Sequence, residues 1–401
     1  MAQAIISRRG GGSGYATITF NGGHALNRSN ATSLYGNVGD LAATNIWHHS
    51  MYINFKNFAL FGGGTTTGTN YSSSVCSYNY SLVYVNLSSL SQARRGLVAT
   101  TLGSYALFGG GYNGSYSSTV DAYDGTLTRS TPTSLSQARR GLAATTVGNY
   151  ALFGGGYNGS YLSTVDAYNT SLTRSTPTSL GTSRYALAAT RIGSYALFAG
   201  GGRNNVEFAV VDAYNTGLTR STPTVLSMSR AFLAATRVNG DYALFGGGKD
   251  IQGSQYNRAN VDAYDSNLTR TNPSYLSVAR YNLAATEVGS YALFGGGSIS
   301  SSSDSSTVDA YNKNLTRSTE LDFTYSKQQL AATTVGNYAL FGGGFIQTVD
   351  AYKINNKVPV YPGTKYKLGS MASESTSSTM QEIETTAPIT GYIKIKDATI
   401  N

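Results

Sequence analysis

The sequence predicts an all-β chain: a ring of seven four-stranded blades, a β-propeller, closed by an N-terminal outer strand and carrying β-rich arms at both ends. Three observations lead there. Charged residues make up only 12% of the 401, while Gly (47) and Tyr (31) are abundant, a balance that suits strands and tight turns better than helices. The phrase "YALFGGG" or a close variant occurs seven times, beginning at Phe58, Tyr105, Tyr150, Tyr195, Tyr242, Tyr291 and Tyr338. Each copy follows "LAAT" or "LVAT" and precedes "VDAY" or "VCSY", so the unit repeats every 45 to 49 residues.

Within a unit, short β-prone runs separated by Gly, Asn and Ser signals make four strands. Strand a is "GLAATTV", b is "YALFGGG", c is "VDAYN" and d is "LTRSTPTSL". The a–b link "VGNY" or "VGSY" reads as a tight hairpin with Gly where positive φ is wanted. Small residues on strand a and bulkier ones on b and c suit a wedge-shaped blade, with Ala-Ala at the crowded centre.

The seventh unit has strands a to c, and its text changes after Tyr352. The missing d strand is expected from the other end of the chain, where "LNRSNATSL" at Leu26 aligns with "LTRSTPTSL" at Leu127. Closure of this kind removes exposed sheet edges. The expected domains are an arm over 1–25, a propeller over 26–353 and an arm or small β subdomain over 354–401. A pairing supports the docking. Asp121, Asp166, Asp212, Asp262 and Asp309 on strand c each precede an Arg on strand d: Arg129, Arg174, Arg220, Arg270 and Arg317. In the first unit both positions change together, to Cys76 and Tyr84, and Asp350 finds Arg28 only if the N-terminal strand docks beside it. These read as structural cross-strand ion pairs worth ~0.2–1 kcal/mol each.

Strand direction sorts the loops. The d–a and b–c loops share one face, here called upper, and the a–b and c–d loops share the lower one. The b–c loops vary in length, with 10, 8, 8, 8, 12, 10 and 4 residues in blade order. Diversified loops on a repeated scaffold are what a binding surface needs. Their Tyr, Ser, Gly and Asn resemble the composition of adaptable paratopes. Tyr112, Asn113, Tyr116, Tyr157, Asn158, Tyr161 and Tyr256 are the candidate ligand-binding residues, the tyrosines by stacking on sugar rings; the same residue types also make ordinary solvated turns. Arg94, Arg139, Arg184, Arg230, Arg280 and Lys327 each stand three residues before the strand-a Leu, with Val38 breaking the series. They are expected as a basic ring at the upper channel mouth that grips carboxylate, phosphate or sulfate, or as arginines bonding loop carbonyls between blades.

The Arg ahead of strand a, the glycine run closing strand b and the "V-x-A-Y" strand resemble the kelch repeat over about residues 26–353. The departure is Leu, as at Leu127 and Leu172, where many kelch units carry Trp. The resemblance implies a kelch-type propeller and leaves the role open, because such propellers host many functions.

Other classes find little support. The net charge of +9 comes without a basic stripe, so no nucleic-acid partner is expected. No apolar run approaches the ~20 residues that cross a bilayer, and the N-terminus lacks the pattern of a secretory signal. One cysteine, Cys76, excludes an internal disulfide framework. His48 and His49 are adjacent and chelate poorly on a strand, so no metal or other cofactor is expected. No nucleophile elbow, zinc-protease motif or phosphate loop occurs, and no enzyme activity is expected. The insertion "NIWHHSMYINFKN", with Trp47, is a contact for the tails or a partner. The arms contain alternating strands, "YATITF" and "ITGYIKIKDATI", that can pair with each other or join another subunit's sheet. The opening "MAQAIISRRGGG" resembles the starts of some bacteriophage tail and baseplate proteins. The expectation is therefore a recognition and display module on a virion, tail fibre or particle surface. It would be anchored to other subunits by its arms and would bind host-surface glycan or protein above. The alternatives are a cytoplasmic scaffold gripping a protein through the basic ring, and structural decoration with no ligand.

Overall fold

The computed structural model describes residues 56–66, 70–250, 256–345 and 348–354 without a break, and elsewhere only short strands. Among the described residues every regular element is a β-strand, and seven four-stranded sheets form the blades of a β-propeller. Blade 3 shows the pattern: Ala143–Val147, Tyr150–Gly154, Val165–Asn169 and Arg174–Ser175, from the axis outward. The seventh sheet takes Leu330–Val335, Tyr338–Gly343 and Val349–Ile354, with Leu26–Ala31 as its outer strand. The inner strands neighbour one another in blade order, and Leu330–Val335 lies beside Ala42–Trp47 of blade 1, which completes the circle.

Seven inner strands can converge because their side chains are small. Ala143 and Val147 are buried in the cluster shared with blade 4, Ala144 packs on the one shared with blade 2, and Thr145 and Thr146 line the axial channel. Further out, the side chains grow. Phe153 and Tyr168 are fully buried and meet edge to face, their ring centroids 5.8 Å apart. Each core cluster is shared by two blades: Leu107, Val120 and Ala122 of blade 2 pack with Ala151, Phe153 and Tyr168 of blade 3. The strand-c tyrosine also ties its blade to the one before. Tyr168 Oη donates to the carbonyl of Thr133 at 2.6 Å, and Tyr123, Tyr214, Tyr264, Tyr311 and Tyr352 repeat the bond.

The outer strand is shorter than the sequence suggests. Of "LTRSTPTSL" only Arg174–Ser175 pair with the sheet, and Leu172 stands in the turn with φ of 59°. The cause is local. Asn169 Oδ1 accepts the N–H groups of Ser171 and Thr173, and Leu172 N–H donates to the Asn169 carbonyl, a closed Asx turn that forces the next residues round. Pro177 then removes a ladder donor. The leucine packs on the core between blades 2 and 3, which offsets ~1–2 kcal/mol of left-handed strain.

The chain divides into two compact units, Arg28–Lys353 and a second made of Met1–Asn27 with Ile354–Asn401. In the second, Ile5–Ser7 pairs with Thr17–Thr19, Val358–Pro359 with Tyr392–Ile393, and Lys365–Leu368 with Gln381–Glu384. Each of these strands thus pairs within its own arm. His24, His48 and His49 lie outside the described residues. Among the described residues no three His, Cys, Asp or Glu groups converge on a metal position.

Candidate functional site

In blades 2 to 7 the segment entering the inner strand carries three consecutive positions with different tasks. The first is the basic residue, and here the structure corrects the expectation of an open cationic ring. Arg94, Arg139, Arg184, Arg230, Arg280 and Lys327 all have 0% exposure. Arg139 Nη2 donates to Asp166 Oδ2 at 2.6 Å and to the Phe153 carbonyl at 3.1 Å; Lys327 Nζ reaches Asp350 Oδ2 at 2.7 Å and the Phe341 carbonyl at 3.2 Å. The second oxygen of the carboxylate takes the outer-strand arginine, as in Arg174 Nη1 to Asp166 Oδ1 at 2.8 Å. Arg28 meets Asp350 in the same way at 3.1 Å, and Arg270 is the loosest, 3.7 Å from Asp262.

The expected ion pairs and the expected ring are therefore one motif, two cations on one buried carboxylate. A fully buried guanidinium costs several kcal/mol unless such a partner meets it, about 3–5 kcal/mol when the partner is removed. Burial pulls the five arginines and Lys327 below their ordinary values, and the adjacent aspartate opposes that shift. Held inside, these groups cannot grip a ligand. Blade 1 has Cys76 at the aspartate position, where burial pushes the thiol up to about 12.

The second position joins the loops. Arg95, Arg140, Tyr185, Ala231 and Tyr281 make backbone bridges to Tyr112, Tyr157, Gly202, Lys249 and Ser298, at or next to the start of each b–c loop. The third position forms a belt around the axis. Gly141 N–H donates to the Gly96 carbonyl, Ala186 to Gly141, Phe232 to Ala186, Asn282 to Phe232 and Gln329 to Asn282, at 2.9 to 3.1 Å. All six of these residues have positive φ, between 53° and 62°.

Above the belt, aromatic side chains from the two loop sets meet in one continuous arc. Ring centroids run Tyr71–Tyr112 at 6.0 Å, Tyr112–Tyr116 at 5.3 Å, Tyr116–Tyr157 at 5.8 Å and Tyr157–Tyr161 at 5.0 Å. They continue through Tyr161–Tyr185 at 5.6 Å, Tyr185–Phe232 at 5.7 Å and Phe232–Tyr281 at 6.4 Å. Cations are set among them: Arg140 lies 5.0 Å from the Tyr112 centroid, Arg95 5.8 Å from Tyr71, and Lys249 4.3 Å from Tyr281. All eight rings are half-buried, so each is braced on one side and open on another.

Tyr112, Tyr116, Tyr157 and Tyr161 are thus brought together. Asn113 and Asn158 sit beside them and hold their own loop tips, each Oδ1 accepting a backbone N–H two residues on. Asn113 also lines a pocket with Asn70, Tyr71, Gln92 and Ala93. Tyr256 stands apart, 62% exposed, with no ring contact among the described residues. Sequence reasoning missed Tyr71, Tyr185, Phe232, Tyr281, Arg95, Arg140 and Lys249. Five of these occupy the one or two places after the buried basic residue, a position that could have been read by aligning the d–a loops.

No protein-family model matches the chain, and no curated protein sequence does. Among solved structures, that of YjhT is similar with a TM-score of 0.56, covering 73% of this chain and 99% of its own, at 10% identity. The chain has the propeller fold. At that identity the likeness shows the fold alone, and a propeller is consistent with a binding or scaffold module.

Proposed function

We propose that the chain is a non-enzymatic recognition module of kelch type, carried on a bacteriophage particle and binding host-surface glycan through its upper face. The aromatic arc from Tyr71 to Tyr281 carries this reading. The C–H faces of a sugar ring pack on tyrosine, and its hydroxyls bond to the phenol and to the Ser and Asn groups of the same loops. Rings already braced by their neighbours lose little freedom when a ligand settles on them. Arg95, Arg140 and Lys249 favour glycans that carry acidic groups. The kelch assignment rests on the repeat itself. The particle assignment rests on the opening "MAQAIISRRGGG" and on arms suited to attachment. A protein partner gripped by the basic ring is set aside, because those side chains are buried.

The test is a titration of the full chain with neutral and acidic oligosaccharides, followed by tyrosine fluorescence. Saturable binding is expected, with Tyr112→Ala and Tyr157→Ala each weakening it about tenfold or more. Binding unchanged in both variants, or no binding to any glycan, would sink the reading. Antibody labelling of source material in the electron microscope tests the particle placement: label on phage-like particles supports it, and diffuse cellular label overturns it.

A further inference from the structure

A second constellation lies on the axis at the opposite end of the inner strands. The strands leave a polar cavity of about 190 Å³ whose lining includes Thr101, Thr146, Arg191, Arg237, Glu287 and Thr334. These six residues occupy equivalent places in their strands, two before the a–b turn in each of blades 2 to 7, as the pairing of Ile192 with Tyr195 shows for Arg191. The aromatic arc is built from loops at the other end, so the two places do not overlap.

The chemistry here is lopsided. Blades 5 and 6 contribute a bidentate pair, Arg237 Nε to Glu287 Oε2 at 2.7 Å and Nη2 to Oε1 at 2.6 Å. That pair is neutral and fixes the plane of one guanidinium. Blade 4 contributes Arg191, which makes no side-chain hydrogen bond and no ion pair among the described residues. It is half-buried, so solvent reaches it while the surrounding protein raises the strength of any charge it meets. Burial first, then the neighbouring Arg237, lowers its pKa, while Glu287 opposes the shift. In the same lining, the hydroxyls of Thr101 from blade 2 and Thr146 from blade 3 make no hydrogen bond among the described residues. The cluster therefore has one net positive charge and a fork of free donors, with threonine hydroxyls in the same solvent-open lining.

We propose that this end of the channel binds a small oxyanion, a carboxylate or phosphate of a few heavy atoms, with Arg191 as its bidentate anchor. Glu287 neutralises Arg237 and holds its guanidinium, so the net positive charge at the site is that of Arg191. Threonine hydroxyls complete the donor set. Planar bidentate recognition is what a guanidinium does best, and lysine at position 191 would reproduce only the charge. The site stands independently of the glycan reading, since none of its residues belongs to the arc.

Calorimetric titration of the full chain in a zwitterionic buffer free of other anions tests it, with acetate, inorganic phosphate and neutral acetamide as probes. Acetate or phosphate is expected to bind with one site per chain, and acetamide is not; the stronger of the two anions identifies the ligand class. Arg191→Gln is expected to weaken anion binding about tenfold or more, with the thermal unfolding midpoint unchanged. Glu287→Gln raises the local charge, and it is expected to tighten binding by a similar factor, less so as salt is added. The Glu287→Gln gain decides the matter if the arginine variant does not fold. Equal binding of acetamide, undiminished binding by a folded Arg191→Gln, or no anion binding to the wild-type chain would overturn the proposal.

Discussion

Nη2 of Arg139 lies 2.6 Å from Oδ2 of Asp166, and neither side chain reaches solvent. Arg174, on the other oxygen, is 24% exposed. The two arginines should therefore differ in weight although both touch one carboxylate. Asp166→Ala leaves the Arg139 charge buried without its partner, and a loss of ~3–5 kcal/mol is expected. Arg174→Ala removes a partly solvated cation, and ~1 kcal/mol or less is expected. Equilibrium urea unfolding of both variants checks the order.

Blade 1 shows that the motif can be dispensed with as a whole. Its sequence has Val38, Cys76 and Tyr84 where blade 3 has Arg139, Asp166 and Arg174. The exchange of all three in blade 3, to Val, Cys and Tyr, should keep more stability than Asp166→Cys alone, because no charge is stranded. A triple variant with a lower urea midpoint than the single one would show that the clusters are not interchangeable units.

Adjacent glycines in the same blade carry different constraints. A Cβ on Gly154 would come within 2.8 Å of the Phe198 ring, yet blade 4 has Ala199 at the equivalent place. Gly154→Ala should cost about 1 kcal/mol, the low end for overpacking. Gly155 has φ of 71°, and its Cβ would meet the Arg184 carbonyl at 2.7 Å, backbone that cannot yield. Gly155→Ala should cost ~2–5 kcal/mol. Thermal unfolding midpoints of the two variants give the comparison directly.

Acid should act on blade 7. Burial alone would raise the Asp350 carboxyl, but Lys327 and the N–H and hydroxyl of Thr324 hold it below the usual carboxylate range. A folded value under the unfolded one, ~3.9, means that its contribution is complete above that pH and is lost as pH falls through the folded value. Stability measured from pH 7 down to pH 2 should decline more steeply for the wild-type chain than for Asp350→Asn below about pH 4. Parallel profiles would show that Asp350 does not titrate in that window.

Seven blades were legible because "YALFGGG" and "VDAY" recur with their neighbours, and each phrase maps on a strand whose side chains are almost all buried. The Asp–Arg pairs were legible for the same reason, since eight residues separate Asp166 from Arg174 across a short turn. The third member was misplaced. Arg139 and Asp166 are 27 residues apart, Arg230 and Asp262 are 32, and Lys327 and Asp350 are 23, because b–c loops of unequal length intervene. A contact whose spacing drifts leaves no fixed signature. The tyrosines of the loops were visible by composition, whereas Tyr185, Phe232 and Tyr281 each look like a single apolar residue beside a strand and acquire their meaning only from neighbours in other blades. Arg191, Arg237 and Glu287 were hidden in the same way, as exceptions in a threonine position.

The belt of N–H to carbonyl bonds from Gly96 to Gln329 is made by main chain alone. Its members are Gly, Gly, Ala, Phe, Asn and Gln, so the hoop keeps its geometry with side chains from none to Phe, each non-glycine bearing the strain of a positive φ. The rim can therefore change its chemistry one substitution at a time while its shape is inherited intact. The mouth's chemistry is thus set by what the frame displays, and its shape by the main chain.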